Sequence, residues 1–254
     1  MSKALITGAS SGIGKEFAFL LAEKGYDLVL AARSEEKLRE IARKIEETFN
    51  VSVKIFVKDL SFESAAFELF EELKNEDVDI LVNNAGFGKY GDFLKFDAET
   101  YRQMINLNVL TLTLLTRLFA EKMKEKGKGK ILNVSSTAAF QPLSRFAVYA
   151  ATKAYVLSLS EALHCEFRKF GITVTTLCPG PTKTNFGETA ETHGTKMFNP
   201  TGLADPKFVA SEGLKGLFSG KPLIITGRRN KILAFFARIL PLSIVLKISS
   251  YFVK

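Results

Sequence analysis

The sequence predicts an α/β fold in which a mostly parallel sheet of seven strands carries helices on both faces. Short β-branched or apolar runs alternate with longer segments of helical periodicity along the 254 residues. Strand–helix alternation of this kind produces parallel strands joined by right-handed crossovers, and therefore a doubly wound sheet. A glycine-rich segment also separates the first apolar run from the first helix. No linker or internal repeat interrupts the pattern, so we expect residues 1–254 to form a single domain.

The predicted elements follow one another in regular order. Strands are expected at 4–6, 27–31, 53–57, 80–82, 130–134, 173–177 and 223–225. Helices are expected from the glycine-rich segment to residue 24, and at 34–49, 62–74, 98–125 and 147–170. In the segment 34–49, for example, the helix is predicted because Leu38, Ile41 and Ile45 recur at helical spacing. Asp205 followed by Pro206 indicates an N-cap and the first residue of another helix.

The composition indicates a folded chain without a metal site or a nucleic-acid partner. Hydrophobic residues make up 46% of the chain and charged residues 24%. Cys165 and Cys178 are too few for a disulfide framework and lack metal-ligand spacing. No signal peptide precedes the first strand, so we expect a cytoplasmic location. The net charge of +8 comes almost wholly from residues 221–254, and a nearly neutral body argues against nucleic-acid binding.

Residues 229–254 form a basic, apolar and helical C-terminal extension in this prediction. The segment 221–254 contains seven basic residues and no acid. The extension is long enough to span a bilayer, but Arg238 and Pro241 near its centre disfavour insertion, since a central arginine costs about 2.5–3.5 kcal/mol. Two interpretations stay open. The extension is either a peripheral membrane anchor, or it packs against a partner subunit or over the substrate mouth.

A glycine-rich turn, Thr7-Gly8-Ala9-Ser10-Ser11-Gly12-Ile13-Gly14, directly follows the first strand and opens the first helix. Glycine is required where the chain turns tightly and where the backbone approaches a diphosphate closely. The N-terminus of the helix offers unpaired N–H groups to that anion. The turn therefore predicts a Rossmann-type dinucleotide site whose contacts are Gly8, Ser10, Ser11, Gly12, Ile13 and Gly14. A merely tight turn is the alternative.

The end of the second strand indicates which nicotinamide dinucleotide binds. The chain reads Ala31-Ala32-Arg33 there, without the acid that would accept hydrogen bonds from a ribose 2′-hydroxyl. An arginine at this place can pair with a 2′-phosphate. Arg33 therefore favours NADP(H) over NAD(H), with Lys15 and Lys37 as less certain neighbours. A solvated surface arginine is the alternative interpretation.

Three side chains predict a site for proton transfer to a carbonyl oxygen. Tyr149 and Lys153 are four residues apart, and so share one face of a helix. A free tyrosine has a pKa of about 10, and a neighbouring ammonium lowers the pKa of the phenol. A tyrosine of this kind can give a proton to a carbonyl or take one from an alcohol. Ser136, after the fifth strand, can hydrogen-bond the same substrate oxygen.

Together these motifs, in this order and spacing, resemble the short-chain dehydrogenase/reductase family in its single-domain branch. The resemblance covers residues 3–227. Beyond the residues already named, it is carried by Asp59-Leu60, Asn83-Asn84-Ala85-Gly86, Asn106-Leu107-Asn108-Val109 and Pro179-Gly180-Pro181-Thr182-Lys183-Thr184.

The resemblance implies a role for each matching residue. Tyr149 would be the catalytic acid/base, Ser136 would polarise the substrate oxygen, and Lys153 would bind the nicotinamide ribose and lower the tyrosine pKa. Asn108 would position a water that relays protons to Lys153. The adenine would lie by Asp59 and Leu60. The cofactor trough would be lined by Asn84, Ala85 and Gly86, and the nicotinamide would be held by Pro179, Gly180, Thr182 and Thr184.

Aromatic residues beside these motifs predict an apolar substrate pocket. The candidates are Phe87, Tyr90, Phe93, Phe140, Phe146, Phe186 and Phe198. The stretch 185–204, rich in Thr, Gly and Asn, is expected to form a lid over the substrate, and His193 within it is interpreted as an ordinary loop residue.

The sequence thus predicts an NADP(H)-dependent oxidoreductase that moves a hydride between nicotinamide and a carbonyl or secondary alcohol, and that reduces an apolar ketone or aldehyde. The alternative is a catalytically idle NADP(H)-binding or sensing protein on the same fold. An idle protein would tend to lose Tyr149, Lys153 or Ser136. A sugar-nucleotide epimerase or dehydratase fits less well, because its glycine spacing differs. The resemblance also implies a homo-oligomer, either a dimer or a tetramer.

Overall fold

Seven parallel strands form one sheet in the order β3-β2-β1-β4-β5-β6-β7. They are seen in a computed structural model of the chain, which describes residues 2–192 and 202–252. All seven predicted strands are present, and their ends differ from the prediction by no more than two residues. Their bounds are β1 Lys3–Thr7, β2 Asp27–Ala32, β3 Val53–Val57, β4 Val78–Asn83, β5 Gly129–Val134, β6 Ile172–Cys178 and β7 Leu223–Ile225.

Helices connect the strands and cover both faces of the sheet. Their bounds are α1 Gly12–Ala22, α2 Glu35–Thr48, α3 Ala65–Leu73, α4 Ala98–Ile105, α5 Leu112–Lys126, α6 Ala147–Phe167, α7 Phe186–Thr189, α8 Pro206–Phe218, α9 Arg228–Ile239 and α10 Leu242–Phe252. The predicted cap of α8 is confirmed, because Asp205 accepts a hydrogen bond from Phe208 N. The expected continuous helix over 98–125 is instead broken into α4 and α5 by a π-helical turn at Asn106–Thr111.

The central strands of the sheet are buried on both sides because most of their residues are apolar. In β1, Ala4 and Ile6 pack into one core, with α1, α2 and α8. Leu5 points to the opposite core, with α3 and α5. Neighbouring residues of a strand face opposite sides of the sheet, so a continuous apolar run fills both layers. Each fully buried leucine or isoleucine contributes about 1.5–3 kcal/mol to this packing.

The strand order opens a cleft at the carboxyl ends of the central strands. From β1 the chain proceeds through β2 and β3 in one direction, and β4 to β7 extend in the other. The loops after β1 and β4 therefore diverge at the carboxyl ends of these strands, where such sheets bind ligands. Helices α9 and α10 follow β7, and Pro241 separates them as expected. Within 2–192 and 202–252, no helix is both long and apolar enough to cross a membrane.

Candidate active site

A cleft of about 1070 Å³ lies over the carboxyl ends of the strands. Nearly all the residues predicted to hold cofactor or substrate line it. Those that do are Gly8, Ser10, Ser11, Gly12, Ile13, Arg33, Asp59, Leu60, Asn84, Ala85, Gly86, Ser136, Tyr149, Lys153, Pro179, Gly180, Thr182 and Thr184. Gly14 and Asn108 belong to the same region but do not line the cleft.

The glycine-rich turn is fastened to the loop after β4. Thr7 Oγ1 accepts hydrogen bonds from the N–H groups of Asn84 and Ala85, both at 3.0 Å. The side chain of Asn84 in turn donates to Thr7 O at 3.0 Å and to Gly8 O at 3.2 Å. Gly8 adopts a φ of 66°, which favours glycine. These bonds connect the glycine-rich turn with the Asn84-Ala85 loop, and so hold two sides of the cleft together.

The first turn of α1 faces the cleft with its N–H groups available. Ser11 occupies the N-cap in an extended conformation, and its side chain makes no capping hydrogen bond. Gly12 and Ile13 follow it and line the cleft. Unpaired N–H groups and the positive end of the helix dipole suit a phosphate group at this position.

Arg33 lies at the end of β2, at the rim of the cleft. Its side chain is 74% exposed, and Nη1 lies 3.5 Å from Asp59 Oδ2. Lys37 and Lys58 line the same end of the cleft, whereas Lys15 does not line it. Lys58 was not predicted from the sequence. It directly follows β3, and nothing in the sequence of that strand indicates that the next side chain lies beside Arg33. Three basic residues therefore meet at this end of the cleft, where Arg33 is paired with Asp59, and Lys58 with Glu68 at 2.5 Å.

Tyr149 and Ser136 meet at the inner part of the cleft. The phenol of Tyr149 is buried and forms a hydrogen bond with the side chain of Ser136. Ser136 lies two residues beyond β5, and its Oγ also accepts a hydrogen bond from Ala138 N at 3.1 Å. The hydroxyl is thereby held in place beside the tyrosine. The two groups can act on one substrate oxygen.

Lys153 lies beneath Tyr149 on the same face of α6. Its Nζ donates to Val134 O at 2.9 Å and lies 5.7 Å from the centroid of the tyrosine ring. Burial raises the pKa of Tyr149 to about 12, although the Ser136 hydrogen bond lowers it in part. Burial also lowers the pKa of Lys153 to about 8. The expectation of a lowered tyrosine pKa is therefore not met in this chain, because desolvation of the buried phenol outweighs the stabilisation of its anion.

Asn108 connects the site to the π-helical turn. Its Oδ1 accepts from Phe87 N at 3.1 Å, and its Nδ2 donates to Phe87 O at 2.9 Å and to Thr152 Oγ1 at 3.1 Å. Thr152 Oγ1 donates to Tyr149 O at 2.7 Å. A Cβ on Gly86 would lie 3.0 Å from Asn108 Oδ1 and 3.3 Å from Lys153 Nζ. The asparagine thus holds the backbone beside the reaction centre, and the water relay to Lys153 stays a prediction.

The family model for short chain dehydrogenases matches residues 2–194 of the chain. The chain belongs to the short-chain dehydrogenase family. It has the seven-stranded Rossmann-type fold that the sequence predicted. The match contains the glycine-rich turn, Ser136, Tyr149 and Lys153, and it ends before α8.

Known proteins similar to this short-chain dehydrogenase are reductases and dehydrogenases. The very-long-chain 3-oxoacyl-CoA reductase of Rattus norvegicus is 38% identical over 180 residues, which are 69% of this chain and 58% of that protein. The chain spans little more than half the length of the curated relatives it matches.

Two solved structures show the same architecture. A short-chain dehydrogenase from Sphingobium yanoikuyae in complex with NADPH has a TM-score of 0.84 and 31% identity, covering 90% of this chain and 89% of that one. A bulky-bulky ketone specific alcohol dehydrogenase from Comamonas testosteroni has a TM-score of 0.81 and 31% identity, covering 91% of this chain and 90% of that one.

The substrate end of this dehydrogenase is apolar and aromatic. Phe87, Phe146 and Phe186 line the cleft as predicted. The ring of Phe146 stacks on Tyr149 with centroids 4.4 Å apart, and Phe186 lies 5.2 Å from the same ring. The reacting phenol is therefore surrounded by hydrocarbon, which suits an apolar substrate.

Of the other aromatic candidates, Tyr90, Phe93 and Phe140 do not line the cleft. Tyr90 packs behind Phe146, with centroids 6.3 Å apart. Phe93 is exposed and stacks on Tyr101, while Phe140 lies under the guanidinium of Arg238. His193 and Phe198, with residues 193–201 of the expected lid, lie outside the described residues.

The C-terminal extension completes the substrate end of the cleft. This wall is formed by Leu233, Ala234, Phe236, Ala237, Leu240, Val245 and Ile248. Asn230, at the start of α9, donates to Thr226 O at 2.7 Å and packs so closely on Gly180 that a side chain there would collide with it. The extension therefore lines the cleft, and contact of the extension with a membrane or a partner subunit stays a prediction. The apolar face of the extension indicated in the sequence that this helix packs against something, although nothing in the sequence indicated that α9 packs against the cleft.

Proposed function

We propose that this short-chain dehydrogenase is an NADP(H)-dependent reductase of apolar ketones or aldehydes. The observation that carries the proposal is the position of Tyr149. Its buried phenol bonds to Ser136 and is flanked by Phe146 and Phe186, within the same cleft as the glycine-rich turn. One cleft therefore contains both the proposed dinucleotide site at the glycine-rich turn and an apolar reaction centre at Tyr149.

The residues along the cleft fit a nicotinamide dinucleotide. The uncapped first turn of α1 suits the diphosphate, and the loop at Asn84, Ala85 and Gly86 forms the adjoining wall. Arg33 follows β2, whose carboxyl end carries no acid, and this supports a 2′-phosphate and therefore NADP(H). The similar Sphingobium protein is in complex with NADPH, which agrees with this choice. When bound, the nicotinamide supplies or receives the hydride.

The chain's own residues would then control the proton. Tyr149, with a pKa raised to about 12 by burial, is protonated at neutral pH and can donate its phenolic proton to a carbonyl oxygen. Transfer of this proton would leave Tyr149 as a phenolate, and together with the hydride that a bound nicotinamide would supply it would complete the alcohol. Ser136 donates a hydrogen bond to the same oxygen. Lys153 stabilises the phenolate, while Asn108 and Thr152 hold the backbone of this helix turn.

The substrate class follows from the walls of the cleft. Phenylalanine rings and the apolar residues of α9 and α10 line the part of the cleft beside Tyr149, which supports an apolar group at the reacting carbon, while polar residues such as Gln141 and Arg229 line the cleft as well. The relatives agree with this chemistry, since one is a reductase of very-long-chain 3-oxoacyl-CoA and another is specific for bulky-bulky ketones. We further propose that residues 1–254 act as one catalytic domain, in the cytoplasm or at a membrane surface, within a dimer or tetramer.

The proposal is tested by binding and turnover together. Titrations with NADPH and with NADH, followed by nicotinamide fluorescence, should show tighter binding of NADPH. A panel of apolar ketones and aldehydes should then cause its oxidation. Tyr149→Phe should keep NADPH binding and nearly abolish turnover. The matched control is Tyr155→Phe, which removes an exposed hydroxyl on the same helix, 3.1 Å from Thr113 Oγ1, and should leave both unchanged.

The outcomes separate the two functions considered. NADPH binding without turnover of any carbonyl would favour an idle nucleotide-binding protein. Binding of neither nucleotide would refute the proposed function, and full turnover by Tyr149→Phe would remove that residue from its role.

A further inference from the structure

Helices α9 and α10 expose an unusual amount of hydrocarbon. Nine large hydrophobic side chains between residues 232 and 248 are exposed, whereas Ala234 is the buried residue of α9. The nine are Ile232, Leu233, Phe235, Phe236, Ile239, Leu242, Ile244, Leu246 and Ile248. Soluble proteins rarely leave a large apolar patch in water unless it binds something.

The hydrocarbon of α9 is divided between two faces. Leu233, Phe236 and Ala237 line the cleft. Ile232, Phe235 and Ile239 do not, and they are 57%, 61% and 58% exposed. Their spacing of three and four residues puts them in one stripe along the helix. The cleft therefore does not explain this second stripe, which faces away from it.

The charge of the segment identifies what would cover the stripe. Helices α9 and α10 contain no acid, and the basic Arg238 within α9 is already paired with Glu161. Arg228 and Lys231 begin the helix that carries the stripe. A symmetric contact between two copies would bury this basic helix against a second, equally basic helix. A surface that combines hydrocarbon with positive charge instead complements the boundary of an anionic bilayer, where apolar side chains enter the acyl region and basic ones meet phosphates.

The extension is fixed to the fold, so that docking would also orient the cleft. Arg238 Nη2 lies 3.1 Å from Glu161 Oε1, and its guanidinium covers the ring of Phe140. Asn230 fastens the other end of α9 through Thr226 O. Leu233 and Phe236 line the cleft while remaining 53% and 46% exposed, so the apolar end of the cleft opens beside the stripe.

We propose that α9 and α10 dock on an anionic lipid membrane through the stripe Ile232, Phe235 and Ile239, and thereby open the cleft to the bilayer. The substrate class is then an apolar carbonyl compound dissolved in the membrane. Docking stands on the exposed residues and their charge alone, whereas the substrate class rests on the proposed reductase function.

Docking is measured by flotation of the full chain with vesicles of phosphatidylcholine, with or without phosphatidylglycerol. The chain should float with the anionic vesicles and stay in solution with the neutral ones. The triple variant I232S/F235S/I239S should lose this binding. The control F62S/F67S/F208S removes three equally large exposed side chains elsewhere and should bind as the wild type does. R228Q/K231Q should weaken binding about 25-fold at low salt, since each basic residue contributes about fivefold.

Three results would overturn the docking proposal. The first is that the wild type does not float, and the second is that I232S/F235S/I239S floats as well as the wild type. The third is a change of oligomeric state in that variant when the wild type itself binds no vesicles, which would make the stripe an interface between copies of the chain.

The substrate class has its own readout. Turnover of a short, water-soluble ketone should be the same in wild type and I232S/F235S/I239S. Turnover of a long-chain ketone held in anionic vesicles should fall at least tenfold in the variant. Equal turnover of the long-chain ketone by a variant that no longer floats would refute delivery through the membrane. Vesicle binding without turnover of either ketone would refute the reductase function while docking stands.

Discussion

Thr152→Val should lower the free energy of unfolding by about 1–3 kcal/mol, the cost of a buried donor left without an acceptor. Thr152 is buried, and its Oγ1 accepts from Asn108 Nδ2 at 3.1 Å and donates to Tyr149 O at 2.7 Å. Valine keeps the shape of the side chain, so little packing is lost. One N–H group of Asn108 keeps Phe87 O as its acceptor, and the other is left inside the protein without one.

The measurement is urea unfolding followed by circular dichroism, with thermal unfolding as a second readout. Each kcal/mol should shift the melting temperature by about 2–4 °C in a chain of this size. The matched control is Thr189→Val, whose exposed hydroxyl donates to Asn185 O at 3.0 Å, and which should cost no more than about 0.5 kcal/mol. If Thr152→Val is as stable as Thr189→Val, then the connection from Asn108 to Tyr149 does not stabilise the site, and our account of Asn108 is wrong.

Three further predictions concern the same cleft. Gly86→Ala should destabilise the chain by about 1–3 kcal/mol through overpacking, because the added Cβ would lie 3.0 Å from Asn108 Oδ1. The control is Gly202→Ala, whose added Cβ meets nothing within 4 Å, and equal unfolding midpoints for the two variants would contradict the prediction. Arg33→Ala should weaken NADPH binding about tenfold and NADH binding hardly at all. The control in the same fluorescence titration is Arg43→Ala, which removes an exposed arginine. An equal loss of affinity for both nucleotides would argue against a 2′-phosphate contact. Because burial lowers the pKa of Lys153 from 10.5 to about 8, the unfolded chain binds this proton more tightly between those values, so the stability of the wild type relative to Lys153→Met should rise as the pH increases from about 8 to 10.5; a difference that is flat or falling over this range would show that Lys153 keeps its ordinary pKa.

Most of the fold could be predicted because local signals and long-range order agree in this chain. The strands are continuous apolar runs, and strand–helix alternation leaves few topologies for them. The break between α4 and α5 could not be predicted in this way. The π-helical turn depends on Asn108 reaching Phe87 on another loop, and periodicity along one helix contains no information on that contact.

The site shows the same division between local and tertiary information. The side chains of Tyr149 and Lys153 share a helix face, as their spacing predicts, and Ser136 reaches them because β5 ends nearby. The pKa of the tyrosine was predicted in the wrong direction, because burial is a property of the surrounding layers rather than of the spacing to Lys153. The contribution of α9 to the substrate wall was one open alternative, since an apolar helical face indicates that a helix packs but not where.

The position of Leu233 and Phe236 in the substrate wall has an evolutionary consequence. The residues proposed to transfer the proton lie within residues 2–194, the part that matches the family, whereas part of the apolar wall proposed to contact the substrate comes from a later segment of the chain. Substitutions in α9 and α10 can therefore reshape the pocket without moving Tyr149, Ser136 or Lys153. Selection can change which carbonyl is accepted while the chemistry stays constant, and this separation makes the extension the natural place for new specificities to arise.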